Sequence, residues 1–129
     1  MLEELKAEVC RANRRLVELD LVTLTWGNVS GISADRRHVA IKPSGVPYEE
    51  LTPDLIVVVD LEGDVVEGGL HPSSDTPTHL RLYRSFHGVG GITHTHSRFG
   101  TACVLREPVH DRVAADLLLA VAGKPEVDG

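Results

Sequence analysis

Residues 56–67 are Ile-Val-Val-Val-Asp-Leu-Glu-Gly-Asp-Val-Val-Glu, two runs of β-prone residues on either side of a polar turn. The first run, 56–60, has an unbroken apolar stretch, which indicates a strand buried on both faces. Residues 61–64 supply turn chemistry, and the β pattern resumes over 65–67. We therefore expect a β-hairpin, in which neighbouring strands are antiparallel.

The remaining elements are predicted from periodicity and breaker residues. Apolar residues at helical spacing predict an amphipathic first helix; they are Leu2, Leu5, Val9, Ala12, Leu16 and Leu19. Further strands are expected over 22–26, 29–33, 39–42 and 90–96, the first two joined at Gly27-Asn28. Helices are expected over 77–86, from 99 to 105 and over 113–121, the first of them opened by Pro77.

Length and composition bound the class of protein. The chain has 129 residues, of which 42% are hydrophobic and 25% charged, so we expect one globular domain over 1–129 and no membrane span. The formal net charge of −6 argues against a non-specific nucleic-acid binder. The start lacks the basic and apolar regions of a secretory signal, and Cys10 and Cys103 fit core thiols, which together favour the cytoplasm.

The strongest chemical signal is a pair of histidines one residue apart. His94 and His96 lie on the predicted strand 90–96, so both side chains leave the same face, roughly 6.6 Å apart along it. Zinc binds neutral imidazole, and a catalytic zinc site combines three protein ligands with one open position. The pair could supply two of those ligands. The alternative is a solvated strand face or two hydrogen-bonded histidines.

Three short motifs could bind an anion. Ser73-Ser74-Asp75 precedes the helix opened by Pro77, where free backbone N–H groups and the helix dipole favour negative charge. These residues could equally do no more than cap the helix. The pairs Gly27-Asn28 and Ser44-Gly45 could approach a ligand closely and donate hydrogen bonds, or they could be ordinary turns.

Four stretches in order carry a resemblance to a known family. They are residues 21–30 (LVTLTWGNVS), 41–46 (IKPSGV), 72–79 (PSSDTPTH) and 90–98 (GGITHTHSR). Together they resemble the class II aldolase/adducin family, and the Ser-Ser-Asp and His-Thr-His versions are similar to its 4-epimerase branch. The resemblance covers residues 1–102. It implies a three-layer α/β/α fold with a mainly antiparallel central sheet, assembled as a homotetramer.

The resemblance also implies a site and a reaction. It implies that the substrate, chiefly its phosphate, is held by Gly27, Asn28, Ser44, Gly45, Ser73 and Ser74, and that a divalent metal faces Asp75, His94 and His96. Lys42 is placed to assist the anion. The implied metal is Zn²⁺, with Mn²⁺ or Co²⁺ as alternatives. The implied reaction converts L-ribulose 5-phosphate to D-xylulose 5-phosphate by cleaving and re-forming the C3–C4 bond.

Residues 103–129 do not look like the family. A third metal-binding histidine and the acid/base Asp and Tyr expected from the resemblance have no matching residue there, so the fold is expected to be incomplete at its C-terminus. His110 is the first substitute to consider for the missing ligand. The alternatives to an active epimerase are a catalytically weak or inactive module that binds sugar phosphate and metal, and an aldolase that acts on another sugar phosphate.

Overall fold

A computed structural model describes residues 2–22 and 27–95, and the backbone alone of residues 118–123. Its helices are α1 (Leu2–Glu18) and α2 (Thr76–Ser85), and two short 3₁₀ helices span Tyr48–Glu50 and Pro53–Leu55. The strands are β1 (Asn28–Ile32), β2 (His38–Ile41), β3 (Val57–Asp60), β4 (Val65–Glu67), β5 (Val89–Thr95) and β6 (Leu118–Gly123). They form one sheet in the order β4-β3-β2-β1-β5-β6, and every neighbouring pair is antiparallel.

Helix α1 packs one face on the sheet, as its amphipathic pattern predicts. Val9, Cys10 and Leu16 are buried, and the helix approaches β1 at Gly31, where a Cβ atom would lie 3.1 Å from the side chains of Leu5 and Val9. The absence of a side chain at Gly31 therefore lets α1 lie close to the strand. Leu19 does not belong to the buried face, because the helix ends at Glu18 and Leu19 is 51% exposed.

The predicted double-sided burial of the 56–60 strand is confirmed. Val57 and Val59 belong to an apolar cluster with Leu80 and Tyr83 of α2. Val58, which points the opposite way, belongs to a second cluster with Val9 and Cys10 of α1. Because successive strand residues face opposite sides, the two clusters lie on opposite faces of the sheet. The three-layer α/β/α architecture expected from the resemblance is thereby confirmed.

The strands predicted near 29–33, 39–42 and 90–96, the 56–67 hairpin and the helix near 77–86 all form. Of the strand predicted over 22–26, Val22 is not in a strand and the rest lies outside the described residues, as do Ser97, Cys103 and the 99–105 helix. Among the described residues, no helix is long and apolar enough to cross a membrane.

The helix predicted over 113–121 is wrong where the structure describes it. Residues 118–123 form β6, which continues the sheet beside β5 with Leu119 opposite His94 and Val121 opposite Ile92. A short apolar run cannot be assigned to helix or strand from periodicity alone. Here the edge of β5 offers unpaired backbone groups to the run, and pairing satisfies them.

Candidate functional site

The candidate site begins with a cross-strand pair. Asn28 of β1 lies opposite His94 of β5, and both are buried. The next pair along the same face is Ser30 opposite Ile92, which belongs to the cluster beneath α2. The side chains of Asn28 and His94 therefore lie on the side of the sheet that α2 covers, near the point where that helix begins.

Asp75 at the start of α2 joins this pair. Its Oδ2 atom lies 2.7 Å from His94 Nδ1 and accepts a hydrogen bond of 2.9 Å from Asn28 Nδ2. Asp75 occupies the N-cap position, yet its carboxylate makes no capping hydrogen bond. The side chain thus points toward the sheet, so the alternative of a simple helix cap does not describe Asp75.

The His94–Asp75 contact keeps Asp75 ionised and determines which ring nitrogen of His94 carries the proton. The hydrogen bond with His94 is the main cause that lowers the pKa of Asp75. The charge of His94 and the hydrogen bond from Asn28 act in the same direction, and burial opposes them. An ionised carboxylate can only accept, so His94 Nδ1 carries the proton. A carboxylate that holds imidazole in this tautomer directs Nε2 to act as the metal-binding nitrogen.

Asn28 uses both hydrogens of its side-chain amide. One is donated to Asp75 Oδ2 and the other to Ser73 Oγ, at 2.8 Å. Because the carboxylate must be the acceptor, the orientation of the amide is settled by chemistry. Ser73 Oγ also accepts from the Asp75 backbone N–H at 3.2 Å, which leaves its own hydroxyl hydrogen for another acceptor. A phosphate contact from the Asn28 amide would require one of its two hydrogen bonds to be exchanged.

Two loops are paired beside this cluster. Ser44 N–H donates to the His71 carbonyl at 2.9 Å, and Ser73 N–H donates to the Lys42 carbonyl at 3.0 Å. Pro43 and Pro72 form a bridge between them. The pairing brings Ser44 and Gly45 to the same end of the sheet as Ser73 and Ser74. Both Ser44 and Ser74 are exposed, and Gly45 has open space around it.

Gly27 occupies a position that excludes other residues. Its φ is +95°, and a Cβ atom there would lie 2.7 Å from the Val22 side chain and 3.0 Å from the His94 carbonyl oxygen. The Gly27 carbonyl accepts a hydrogen bond from the buried Tyr48 hydroxyl. Burial, with a smaller contribution from the charge of Asp75, raises the pKa of Tyr48. Tyr48 therefore stays a neutral donor that fixes the turn before Asn28.

Lys42 is a buried cation behind the paired loops. Its side chain is 2% exposed, its ammonium lies 4.8 Å from the centroid of the Tyr48 ring, and it donates to the Pro43 carbonyl at 3.3 Å. Among the described residues, no carboxylate forms an ion pair with it. Burial lowers the pKa of the ammonium. A buried cation without a carboxylate partner is a favourable place for an anion.

A buried polar row continues from Asp75 along α2. Asp75, His79 and Tyr83 are four residues apart, so they share one face of the helix. Ser30 of β1 hydrogen-bonds both His79 Nδ1, at 2.6 Å, and the Tyr83 hydroxyl, at 2.8 Å. Burial is the main cause that lowers the pKa of His79 to about 4, and the nearby His94 acts in the same direction against Asp75. His79 is therefore neutral at physiological pH.

The structure thus brings together Asn28, Ser73, Asp75 and His94 by direct hydrogen bonds, and it places Gly27, Ser44, Gly45 and Ser74 on the adjoining turns. His96 and His110 lie outside the described residues. Within the described residues, no three His, Cys, Asp or Glu side chains cluster closely enough to hold a metal ion. Sequence reasoning missed the roles of Tyr48 and His79. A polar residue on the apolar face of a helix is the signal that could have found His79.

Comparison with known proteins decides the family. The sequence profile of the class II aldolase and adducin N-terminal domain matches residues 7–124. The chain belongs to the class II aldolase and adducin family. Its resemblance through the motifs at 21–30, 41–46, 72–79 and 90–98 is confirmed.

Individual members of the class II aldolase and adducin family match over most of this chain. The L-ribulose-5-phosphate 4-epimerase UlaF of Salmonella paratyphi C is 54% identical over 101 residues, which are 78% of this chain and 44% of that protein. A solved L-fuculose 1-phosphate aldolase is 37% identical with a TM-score of 0.76, over 81% of this chain and 50% of the other. The L-fuculose-1-phosphate aldolase of Thermus thermophilus is 29% identical with a TM-score of 0.67, over 83% and 53%. The chain thus spans about half the length of these relatives.

Proposed function

We propose that this chain carries the substrate- and metal-holding part of an enzyme that epimerises L-ribulose 5-phosphate at C4 to give D-xylulose 5-phosphate. The observation that carries the proposal is the convergence of Asn28, Asp75 and His94 beside the paired loops of Ser44 and Ser73. The 54% identity to an L-ribulose-5-phosphate 4-epimerase supports this reaction within the family. The compartment is proposed to be the cytoplasm, and the assembly a homotetramer.

The phosphate end is proposed to lie at the paired loops. Ser73 has a hydroxyl hydrogen to donate, because its oxygen already accepts from Asn28 and from the Asp75 backbone. The exposed Ser44 and Ser74 can add hydroxyl donors, and Gly27 and Gly45 leave room for phosphate oxygens. The buried Lys42 ammonium supplies positive charge behind the loops. These donors and this charge match what a phosphate monoester needs.

The metal end is proposed to lie at His94 Nε2, with His96 as a further ligand and with Asp75 on the opposite side of the His94 ring. Neutral imidazole is a suitable donor for Zn²⁺, and also for Mn²⁺ or Co²⁺. A divalent ion bound there would act as a Lewis acid toward the sugar oxygens. Asp75 would keep His94 in the metal-binding tautomer through its bond to Nδ1, and Asn28 would keep Asp75 in place.

One alternative has a specific observation behind it. The 37% identity to an L-fuculose 1-phosphate aldolase favours an aldolase that acts on another sugar phosphate. An epimerase retains the aldehyde fragment until the C3–C4 bond re-forms, whereas an aldolase releases it.

Product analysis separates these functions. The protein is incubated with L-ribulose 5-phosphate and Zn²⁺, Mn²⁺ or Co²⁺, and the phosphorus-containing products are followed by ³¹P NMR. We expect D-xylulose 5-phosphate. Free glycolaldehyde phosphate with dihydroxyacetone would identify an aldolase, and unchanged substrate with calorimetric binding of phosphoglycolate would identify a binding module. If neither turnover nor binding occurs, the proposed site is wrong.

A further inference from the structure

Asn13 is a fully buried amide in the middle of α1, and it reaches out of its helix to a strand. Its side-chain Nδ2 donates to the Val29 carbonyl at 3.0 Å, and its Oδ1 accepts from the Val29 N–H at 2.8 Å. A further bond of 2.7 Å runs from Nδ2 to the Val9 carbonyl within the helix. All three hydrogen bonds are therefore made to backbone groups, and two of them go to a single residue of β1.

Asn13 contacts β1 at Val29, just before the residue at which β1 begins to pair with β2. The pairing of β1 with β2 begins at Ser30, opposite Ile41, so Val29 lies one residue before the first paired position. The Asn13 amide takes the place of a strand there, because an amide offers the same donor and acceptor as a peptide group. Val29 is thus bonded on that side by α1 rather than by β2.

The residue before Val29 is Asn28, whose side chain donates to both Ser73 and Asp75. Gly27, one residue earlier, is held by Tyr48. The backbone that presents Asn28 is therefore fixed on one side by the Tyr48 hydroxyl and on the other by the Asn13 amide. Tyr48 thus holds the residue before Asn28, and Asn13 holds the residue after it.

We propose that Asn13 is a positioning residue, which holds the Val29 peptide so that the Asn28 amide lies within hydrogen-bond distance of Asp75 and Ser73. An apolar residue at this point of α1 could fill the core, but it would leave the N–H and C=O of Val29 without these partners. Buried backbone groups are rarely left in that condition. The strand would then shift or open at Val29, and Asn28 would move with it.

The test follows the side-chain amide of Asn28 by NMR. Asn13 and Asn28 are the two asparagines, and the sequence contains no glutamine. A ¹⁵N-labelled sample therefore gives two pairs of side-chain amide signals, and in an Asn13 variant the remaining pair belongs to Asn28. In Asn13→Leu we expect this pair to change chemical shift and to exchange with water at least tenfold faster. Asn13→Asp, which keeps the side chain's shape and the oxygen that accepts from Val29, is the second variant in case the first does not fold.

Leu16→Ala is the matched control, since Leu16 is buried on the same helix and makes no side-chain hydrogen bond. It should lower the Tm while leaving the Asn28 signals at their wild-type positions. Wild-type shifts and exchange rates for Asn28 in folded Asn13→Leu or Asn13→Asp would overturn the proposal. An equal change in Leu16→Ala would also overturn it, because a general loosening of α1 would then be sufficient.

The expected effect of Asn13 on ligand binding rests on the proposed function. Calorimetry with phosphoglycolate measures this effect separately from the NMR comparison. We expect roughly tenfold weaker binding in the Asn13 variants than in Leu16→Ala, the scale on which loss of a supporting hydrogen bond weakens a site. If wild-type protein fails to bind phosphoglycolate, the proposed function fails, while the NMR comparison still decides the role of Asn13.

Discussion

The Asp75 carboxylate is the residue at which the local interactions meet. It accepts hydrogen bonds from Asn28 and His94 through one oxygen, and its negative charge reaches the neighbouring Tyr48 and His79. These hydrogen bonds link β1, β5 and the start of α2. Substitutions here should therefore alter the site more than the fold.

Asp75→Asn should weaken metal binding by about 10- to 100-fold, because an amide in place of the carboxylate no longer supplies the negative charge that orients His94. Calorimetric titration with Zn²⁺ measures the change. Asp54→Asn, at an exposed position in the 3₁₀ helix Pro53–Leu55, is the control and should bind as the wild type does. Unchanged affinity in Asp75→Asn would exclude this carboxylate from the metal site.

Ser74→Ala should weaken phosphate-bearing ligands by roughly 1–3 kcal/mol if the hydroxyl donates to a charged oxygen. Calorimetry with phosphoglycolate tests this, with Ser85→Ala at the exposed end of α2 as the matched control. Equal affinities for Ser74→Ala and wild type would remove Ser74 from the phosphate site.

The elements that build the site are turns and strand ends rather than regular secondary structure. Gly27 enters β1 with φ +95°, and Gly45 follows β2 with φ +73°. The two differ in their surroundings, because Gly27 is enclosed by Val22 and the His94 carbonyl whereas Gly45 has nothing within 4 Å of a Cβ position. The cost of the backbone conformation can therefore be separated from the cost of the close approach.

In Gly27→Ala the unfavourable φ alone should lower the free energy of unfolding by about 1–3 kcal/mol. The clash of the methyl group should lower it further. Gly45→Ala should lower it by about 1 kcal/mol through φ alone. Gly69→Ala, in open space, should change it little. Urea denaturation gives the three values, and equal losses at Gly27 and Gly45 would show that the neighbours of Gly27 relax.

How far the sequence predicts these elements depends on what determines each one. The amphipathic α1 and the buried run Val57–Val58–Val59 follow from local patterns, so both were predictable. The 118–123 segment was not, because its apolar residues suit a helix or a strand and the edge of β5 decides between them. Asp75 and His94 could be nominated from motifs, but their hydrogen bond depends on the packing of α2 against β5. The pairing of Asn13 with Val29 is likewise a tertiary contact without a local pattern.

On the scale of the whole molecule, a polar row lies beneath α2 beside the apolar cluster on the same face of the sheet. His79 is fully buried within it, and its pKa is lowered to about 4. The folded state therefore resists protonation, whereas the same histidine in the unfolded chain takes up a proton near its ordinary pKa of 6.5. Acid should shift the folding equilibrium toward the unfolded chain.

The stability of wild-type protein should fall as the pH is lowered from about 6.5 to about 4, by roughly 3 kcal/mol through His79. Below that window both states bind the proton, and the contribution of His79 stops changing; Asp75, whose pKa is lowered, loses its contribution only at more acidic pH. Urea denaturation of wild type and His79→Gln across this range tests the prediction. The difference in free energy of unfolding between wild type and His79→Gln should grow toward neutral pH. Parallel plots of this free energy against pH would contradict the prediction.

The order of strands carries a consequence for how the chain acquires its site. Strands β1 to β4 follow one another as neighbours, so each can pair as soon as the next has been synthesised. β5 must instead return to β1 after the whole of residues 33–88, a long loop closure that is slow in folding. Since Asn28 precedes that loop and His94 follows it, a nascent chain on the ribosome can form its four-stranded meander before the cluster of Asn28, Asp75 and His94 exists. The proposed metal end is completed only by this closure, so a metal ion bound there would stabilise only chains in which β5 has paired with β1.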